Sequence, residues 1–185
     1  MAEASGLRQA LRPAKRRVFF ALRPDARVRA SLAQAALHVH GATQGRCVRD
    51  DNIHLTLAFV GAVGERDLAR LLEPPPGVFT SVFVLTLDHC GCWAEKGIGW
   101  AAPSHTPDGL RILAANLASW LRAAGFELDN RPFRPHVTLV RNAQCVPPKE
   151  PMAAIEWKIA EFALTESLPM SGGVSYLTLR SWPLR

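Results

Sequence analysis

The chain has 185 residues, 48% of them hydrophobic and 21% charged, with a formal net charge of +6. That composition fits one ordinary globular domain, or two small lobes sharing a core. No apolar run reaches the ~18–20 residues needed to cross a bilayer, and residues 1–16 lack the apolar stretch of a secretory signal. Only Lys15, Lys96, Lys149 and Lys158 are lysines. The other basic residues are arginines, whose planar fork of donors suits a phosphate.

In chain order, residues 1–16 form a basic, flexible tail, and "RVFFAL" (17–22) is a short buried strand. A helix follows over 24–41, with Pro24 near its start, Val28, Leu32, Ala35 and Ala36 as its apolar stripe, and Gly41 as its stop. A strand is predicted at 53–60, a short helix at 65–73 closed by Pro74-Pro75-Pro76, then strands at 81–89 and 97–103. The clearest helix is 108–125, where Leu110, Leu113, Leu117, Trp120 and Leu121 share a face and Gly125 ends it. Strands at 136–140, 157–167 and 175–184 complete the chain, with a Pro-rich surface loop at 145–151. The four cysteines lack the spacing of a zinc site or a disulfide framework and are expected to be reduced thiols in a cytoplasmic protein.

Two of the strands carry the same polar pair. His54-Leu55-Thr56-Leu57 and His136-Val137-Thr138-Leu139 lie 82 residues apart, which suggests two similar α+β halves. Residues two apart on a strand share a face. Each strand therefore presents an imidazole and a hydroxyl together and buries its aliphatic residues opposite. Around one cleft, that set suits in-line hydrolysis at phosphorus. One histidine takes a proton from water, the other protonates the departing oxygen, and the hydroxyls donate to the non-bridging oxygens. Threonines are poor metal ligands, and no nucleophile elbow, P-loop or dinucleotide fingerprint is present. Strand parity puts Arg134 with His136, subject to Pro135; it puts Arg141 on the opposite face, and Phe59 with Leu55 and Leu57 in the core. Trp93 and Trp100 are candidates for stacking on a base, with the core as their expected place.

"RVFFAL", "NIHLTLAFVG", "AAGFELDNRPFRPHVTLVR" and "YLTLRSWPL" resemble, in this order, the blocks of the 2H phosphoesterases. Within these, the chain is most similar to the RNA 2′,3′-cyclic phosphodiesterases, also called 2′-5′ RNA ligases. The resemblance covers about residues 17–185 and departs from the family pattern at Cys47 and Trp93. It implies a bilobal α+β fold, with two antiparallel sheets facing a central cleft and helices packed outside. It also implies opening of a terminal 2′,3′-cyclic phosphate to a 2′-phosphomonoester without metal or other cofactor. By the same resemblance His54 is the proton donor, His136 the proton acceptor, and Thr56 and Thr138 hold the phosphate. From strand position alone, Arg134 is a further candidate substrate contact, with a surface role as its alternative, and Arg141 a weaker one. The expected protein is a cytoplasmic monomer acting on RNA ends, with no obligate partner and no membrane. The alternatives are the reverse reaction, 2′-5′ ligation, and an RNA-end-binding module without turnover.

Overall fold

The computed structural model describes residues 15–78, 80–145 and 152–185. The basic stretch at 1–16, apart from its last two residues, and the Pro-rich stretch after Cys145 lie outside these.

The first strand, β1 (Arg16–Leu22), leads into helix α1 (Ala26–Thr43). The Asp25 carboxylate accepts from the Val28 amide at 2.8 Å and caps the helix. Gly41 does not stop α1, which runs on to Thr43 and ends where Gln44 and Gly45 take positive φ. Next come the two-residue β2 (Arg46–Cys47), a 3₁₀ turn at Asp50–Asn52, β3 (Leu55–Val63) and α2 (Glu65–Leu71). The strand expected over 81–89 is two strands, β4 (Phe83–Leu87) and β5 (His89–Trp93), which turn into different sheets at Asp88. β6 (Ile98–Ala102) and α3 (Asp108–Ala123) follow. Helix α3 ends as expected at Gly125, where the Phe126 amide donates to Leu121 O and the Gly125 amide to Arg122 O. After β7 (Val137–Arg141), the strand expected over 157–167 is again divided, into β8 (Ile155–Ile159) and β9 (Glu161–Met170), before β10 (Gly173–Pro183).

The fold is α+β with two antiparallel sheets, as the resemblance implies, but unequal ones. β4 and β8 form a small ribbon. The other eight strands form one sheet in the order β10-β9-β1-β3-β7-β6-β5, with β2 also on β7. β3 and β7 meet at the single pair Leu55–Val137, so the sheet divides there into a β10-β9-β1-β3 half and a β7-β6-β5 half. The helices cross over. α1 follows a strand of the first half but packs on β6 and β7, with Val39 against Gly99 and Val140; α3 follows β6 but packs on β3 and β4. The predicted face of α3 is fully buried at Leu110, Leu113, Leu117 and Leu121, and Trp120 meets Phe20 edge-on at 5.9 Å.

The expectation of four reduced thiols is not met. Cys92 and Cys145 form a disulfide, with Cα atoms 5.2 Å apart, while Cys47 and Cys90 are free. The bond ties the end of β5 to the segment after β7, across the intervening β6. Cysteines 53 residues apart in sequence become neighbours through strand pairing, which local spacing does not show.

Candidate active site

The motif strands are neighbours. With Leu55 opposite Val137, the antiparallel register sets His54 level with Thr138 and Thr56 level with His136. The aliphatic residues at this junction, Leu55 and Val137, are fully buried against the helices, while the histidines and threonines remain partly open on the other face.

A bulge recurs in each motif. Along β1 and β3, Phe20 pairs with Ala58 and Ala21 with Thr56, which leaves Leu57 unpaired. Along β6 and β7, Gly99 pairs with Val140 and Trp100 with Thr138, which leaves Leu139 unpaired. Both are the leucine of His-x-Thr-Leu, and they are 82 residues apart, as the histidines are. One extra residue reverses strand parity beyond it. Val140 therefore turns inward, and Arg141, paired with Ile98, comes onto the face of His136 and Thr138. The expectation that Arg141 faces away is thereby corrected. Phe59, expected in the core, is corrected by the bulge at Leu57: it stands beside Thr56 on the cleft face, 51% exposed and stacked on Phe19 at 5.5 Å.

Each imidazole is anchored alike. His54 Nδ1 lies 2.6 Å from Asn52 O and His136 Nδ1 lies 2.7 Å from Arg134 O. A carbonyl only accepts, so each Nδ1 carries the proton and each Nε2 is the nitrogen that exchanges with substrate. His54 Nε2 is 3.1 Å from Thr56 Oγ1, whose hydroxyl donates to it while the ring is neutral. Asn52 is a positioning residue that the sequence did not single out. Its side chain accepts from the Tyr176 amide at 3.1 Å and donates to Val174 O at 2.7 Å, binding β10 to the first motif. This holds the Tyr176 ring edge-on to His54 at 4.9 Å, with Phe19 on another side at 5.0 Å. Trp93 stands in the same relation to His136, edge-on at 4.6 Å.

These walls govern protonation. Burial brings the His54 pKa down to about 4, and Arg23, Arg141 and His136 add repulsion; only the bond to Asn52 O opposes them. His136 is lowered as well, by burial and then by Lys96 and Arg141, against its bond to Arg134 O. Both rings are neutral at pH 7 in the protein alone.

Beside His136 opens a cavity of about 290 Å³ lined by Trp93, Trp100, Phe133, Arg134, Pro135 and His136, among others. Arg134 and His136 line the same cavity, although both precede β7, so strand parity does not apply to them. Trp93 and Trp100, expected in the core, form a wall of the cavity instead, with rings 5.4 Å apart. Gly91 allows this, because a Cβ there would sit 2.6 Å from the Trp100 ring. Among the described residues, no three His, Cys, Asp or Glu side chains gather as a metal-ligand set.

Fold and site together are those of a two-histidine phosphoesterase. The family model described as LigT like Phosphoesterase matches residues 22–100 and again 101–176, one match for each motif. The RNA 2′,3′-cyclic phosphodiesterase of Escherichia coli K12 is 34% identical over 171 residues, 91% of this chain and 96% of that one. Its namesake from Thermus thermophilus is 31% identical over 188 residues, 91% and 90% of the two chains. Among solved structures, E. coli LigT complexed with 3′-AMP superposes with a TM-score of 0.82 at 33% identity, covering 92% of this chain and 98% of that one. The chain belongs to the LigT-like phosphoesterase family.

Proposed function

We propose that this protein hydrolyses the 2′,3′-cyclic phosphate at the end of an RNA strand, leaving a 2′-phosphomonoester. The observation that carries the reading is the junction of β3 and β7, which brings two His-x-Thr pairs side by side with each Nδ1 tied to a carbonyl and each Nε2 on the cleft side, that of His54 against the Thr56 hydroxyl. The relatives' names supply the substrate class.

In the proposed reaction, His136 Nε2 takes a proton from water as the water oxygen bonds to phosphorus. The P–O3′ bond breaks, and O3′ receives the proton of His54 Nε2, giving a free 3′ hydroxyl and a phosphate on O2′. Thr56 and Thr138 donate to the non-bridging oxygens; loss of one such donor typically removes ~3–4 kcal/mol of transition-state stabilisation. His54 must be protonated to act as the acid, and its lowered pKa leaves it neutral at pH 7 in the protein alone. Burial is the main cause of the depression and the charges of Arg23 and Arg141 add to it; a bound phosphate anion acts against both, since its negative charge beside the ring favours the protonated form. Substrate binding therefore draws a proton onto His54. Arg141, on the cleft face, faces the phosphate, and the cavity with Trp93, Trp100, Phe133 and Arg134 takes the terminal nucleoside by stacking. On this reading the protein works in the cytoplasm as a monomer without an obligate partner. No described helix is long and apolar enough to cross a membrane.

The test is hydrolysis of an oligoribonucleotide ending in a 2′,3′-cyclic phosphate, in EDTA, by the wild type, His54→Ala and His136→Ala. Each variant is expected to lose ~10²-fold or more, with a 2′ product from the wild type. A wild type that binds this RNA without opening it would sink the proposal.

A further inference from the structure

Away from the two motifs, β2 and β7 bring two like charges together. Arg46 is directly opposite Arg141 in the antiparallel register. Opposed like charges destabilise a strand pair, yet both side chains are exposed and neither has an acidic partner among the described residues. The chain is built to hold them there. Gly45, at φ +86°, passes so close to β7 that a Cβ would lie 2.6 Å from Arg141 O. The Arg46 guanidinium is steadied from the β9–β10 turn, with Nη1 donating to Gly172 O at 2.8 Å. Cross-strand partners point to the same side, so Arg46 shares the cleft face onto which the Leu139 bulge turns Arg141.

The position of the pair indicates what it meets. Across the bulge, Thr138 and Arg141 span only two residues of β6, Trp100 to Ile98, which puts the Arg141 Cα roughly 7 Å beyond that of Thr138, along β7 and away from the nucleoside cavity at His136. A nucleotide with its base in the cavity and its cyclic phosphate between the motifs has one further arm, the 5′ oxygen of the same ribose, and a second negative charge at the arginine pair would be carried on that arm.

We propose that Arg46 and Arg141 form a second anion seat, which takes the phosphodiester next to the cyclic end of an RNA strand. This rests on the function proposed above and narrows its substrate: the protein prefers the end of a chain to a free nucleoside cyclic phosphate. Arg141 lies between the two phosphates and serves both, and Arg46 belongs to the second.

The test compares three ligands with terminal cyclic phosphates: a mononucleoside, a dinucleotide with an ordinary linkage, and the same dinucleotide with a neutral methylphosphonate linkage. In the wild type the charged dinucleotide should exceed the neutral one about tenfold in kcat/KM, as expected for one charge-assisted contact. Arg46→Gln should bring that ratio close to one, and Arg46→Lys should restore part of it. Equal rates on the two dinucleotides in the wild type would overturn the seat without touching the hydrolysis itself, as would a ratio unchanged in Arg46→Gln. If the wild type opens none of the three, the proposed hydrolysis fails. The same ratio read as binding affinity by fluorescence anisotropy then still decides the seat.

Discussion

The buried imidazole of His54 makes stability depend on pH in a way that one substitution can isolate. Its pKa is about 4 in the folded protein against an ordinary 6.5, so below 6.5 the unfolded chain binds a proton that the folded one refuses. The neutral ring's contribution is complete above pH 6.5, fades as pH falls, and is gone once pH drops below about 4. The whole gap is worth roughly 3 kcal/mol, and about 2–2.5 kcal/mol of it falls between pH 7 and pH 4.5. His54→Ala also leaves Asn52 O without its donor, so the variant is expected to be weaker at pH 7 by ~1–3 kcal/mol. The informative quantity is therefore the change with pH. Urea unfolding at pH 7 and pH 4.5 should show the wild type losing about 2 kcal/mol more than His54→Ala over that interval. Carboxylates and the histidines away from the site titrate in both proteins and cancel. Equal losses in the two proteins would mean that His54 protonates freely in the folded state and that its walls do not set its charge.

The same depression shapes the rate profile. In free enzyme the base His136 must be neutral, so kcat/KM falls as pH drops through its lowered pKa; the acid His54 must be protonated, so kcat/KM also falls as pH rises above about 4. The maximum should lie between about 4 and 6.5, and kcat, measured with the anion bound, should peak at higher pH. A kcat/KM optimum above pH 7.5 would contradict the assignment. Closing a 53-residue loop, the Cys92–Cys145 bond should contribute about 4 kcal/mol by loop-entropy reckoning. Reductant and Cys145→Ser should then lower the unfolding midpoint alike, whereas a midpoint indifferent to both would show that the bond does not form in solution. Gly91→Ala forces the Trp100 ring out of its place in the cavity wall. It should raise KM about tenfold with a smaller change in kcat, the pattern of lost ground-state binding; a fall in kcat alone would place Trp100 in the chemistry instead.

Much of this was legible because it depends on local pattern. Alternation in HLTL and HVTL separates the polar pair from the buried aliphatics whatever those strands pair with. The leucines of α3 mark its buried face in the same way. Arg141 and Phe59 were misjudged for the complementary reason. Parity counted along one strand assumes an unbroken ladder, and the bulges at Leu57 and Leu139 are set by how β1 and β6 pair with the motif strands. The missed break at Asp88 is similar, since β4 and β5 are nearly continuous in sequence and part only because their partners lie in different sheets. Asn52 carries no local signal in the sequence, being a polar residue just before a strand. Its role became visible only with β10 beside it, from 122 residues away.

The crossing of the two helices has a consequence for how damage travels. α1 is encoded next to β1, in the half that carries His54, yet it supports β7 and therefore His136; α3 is encoded in the other half and supports β3 and therefore His54. A lesion in either helix should thus be felt first at the histidine belonging to the opposite half of the gene. Neither half encodes a self-sufficient unit, so severing the chain at 103–107, between β6 and α3, would yield two fragments that each lack cover for a strand and supply it to the other. Such fragments are suited to complement one another, each bringing the helix that covers the other's motif strand.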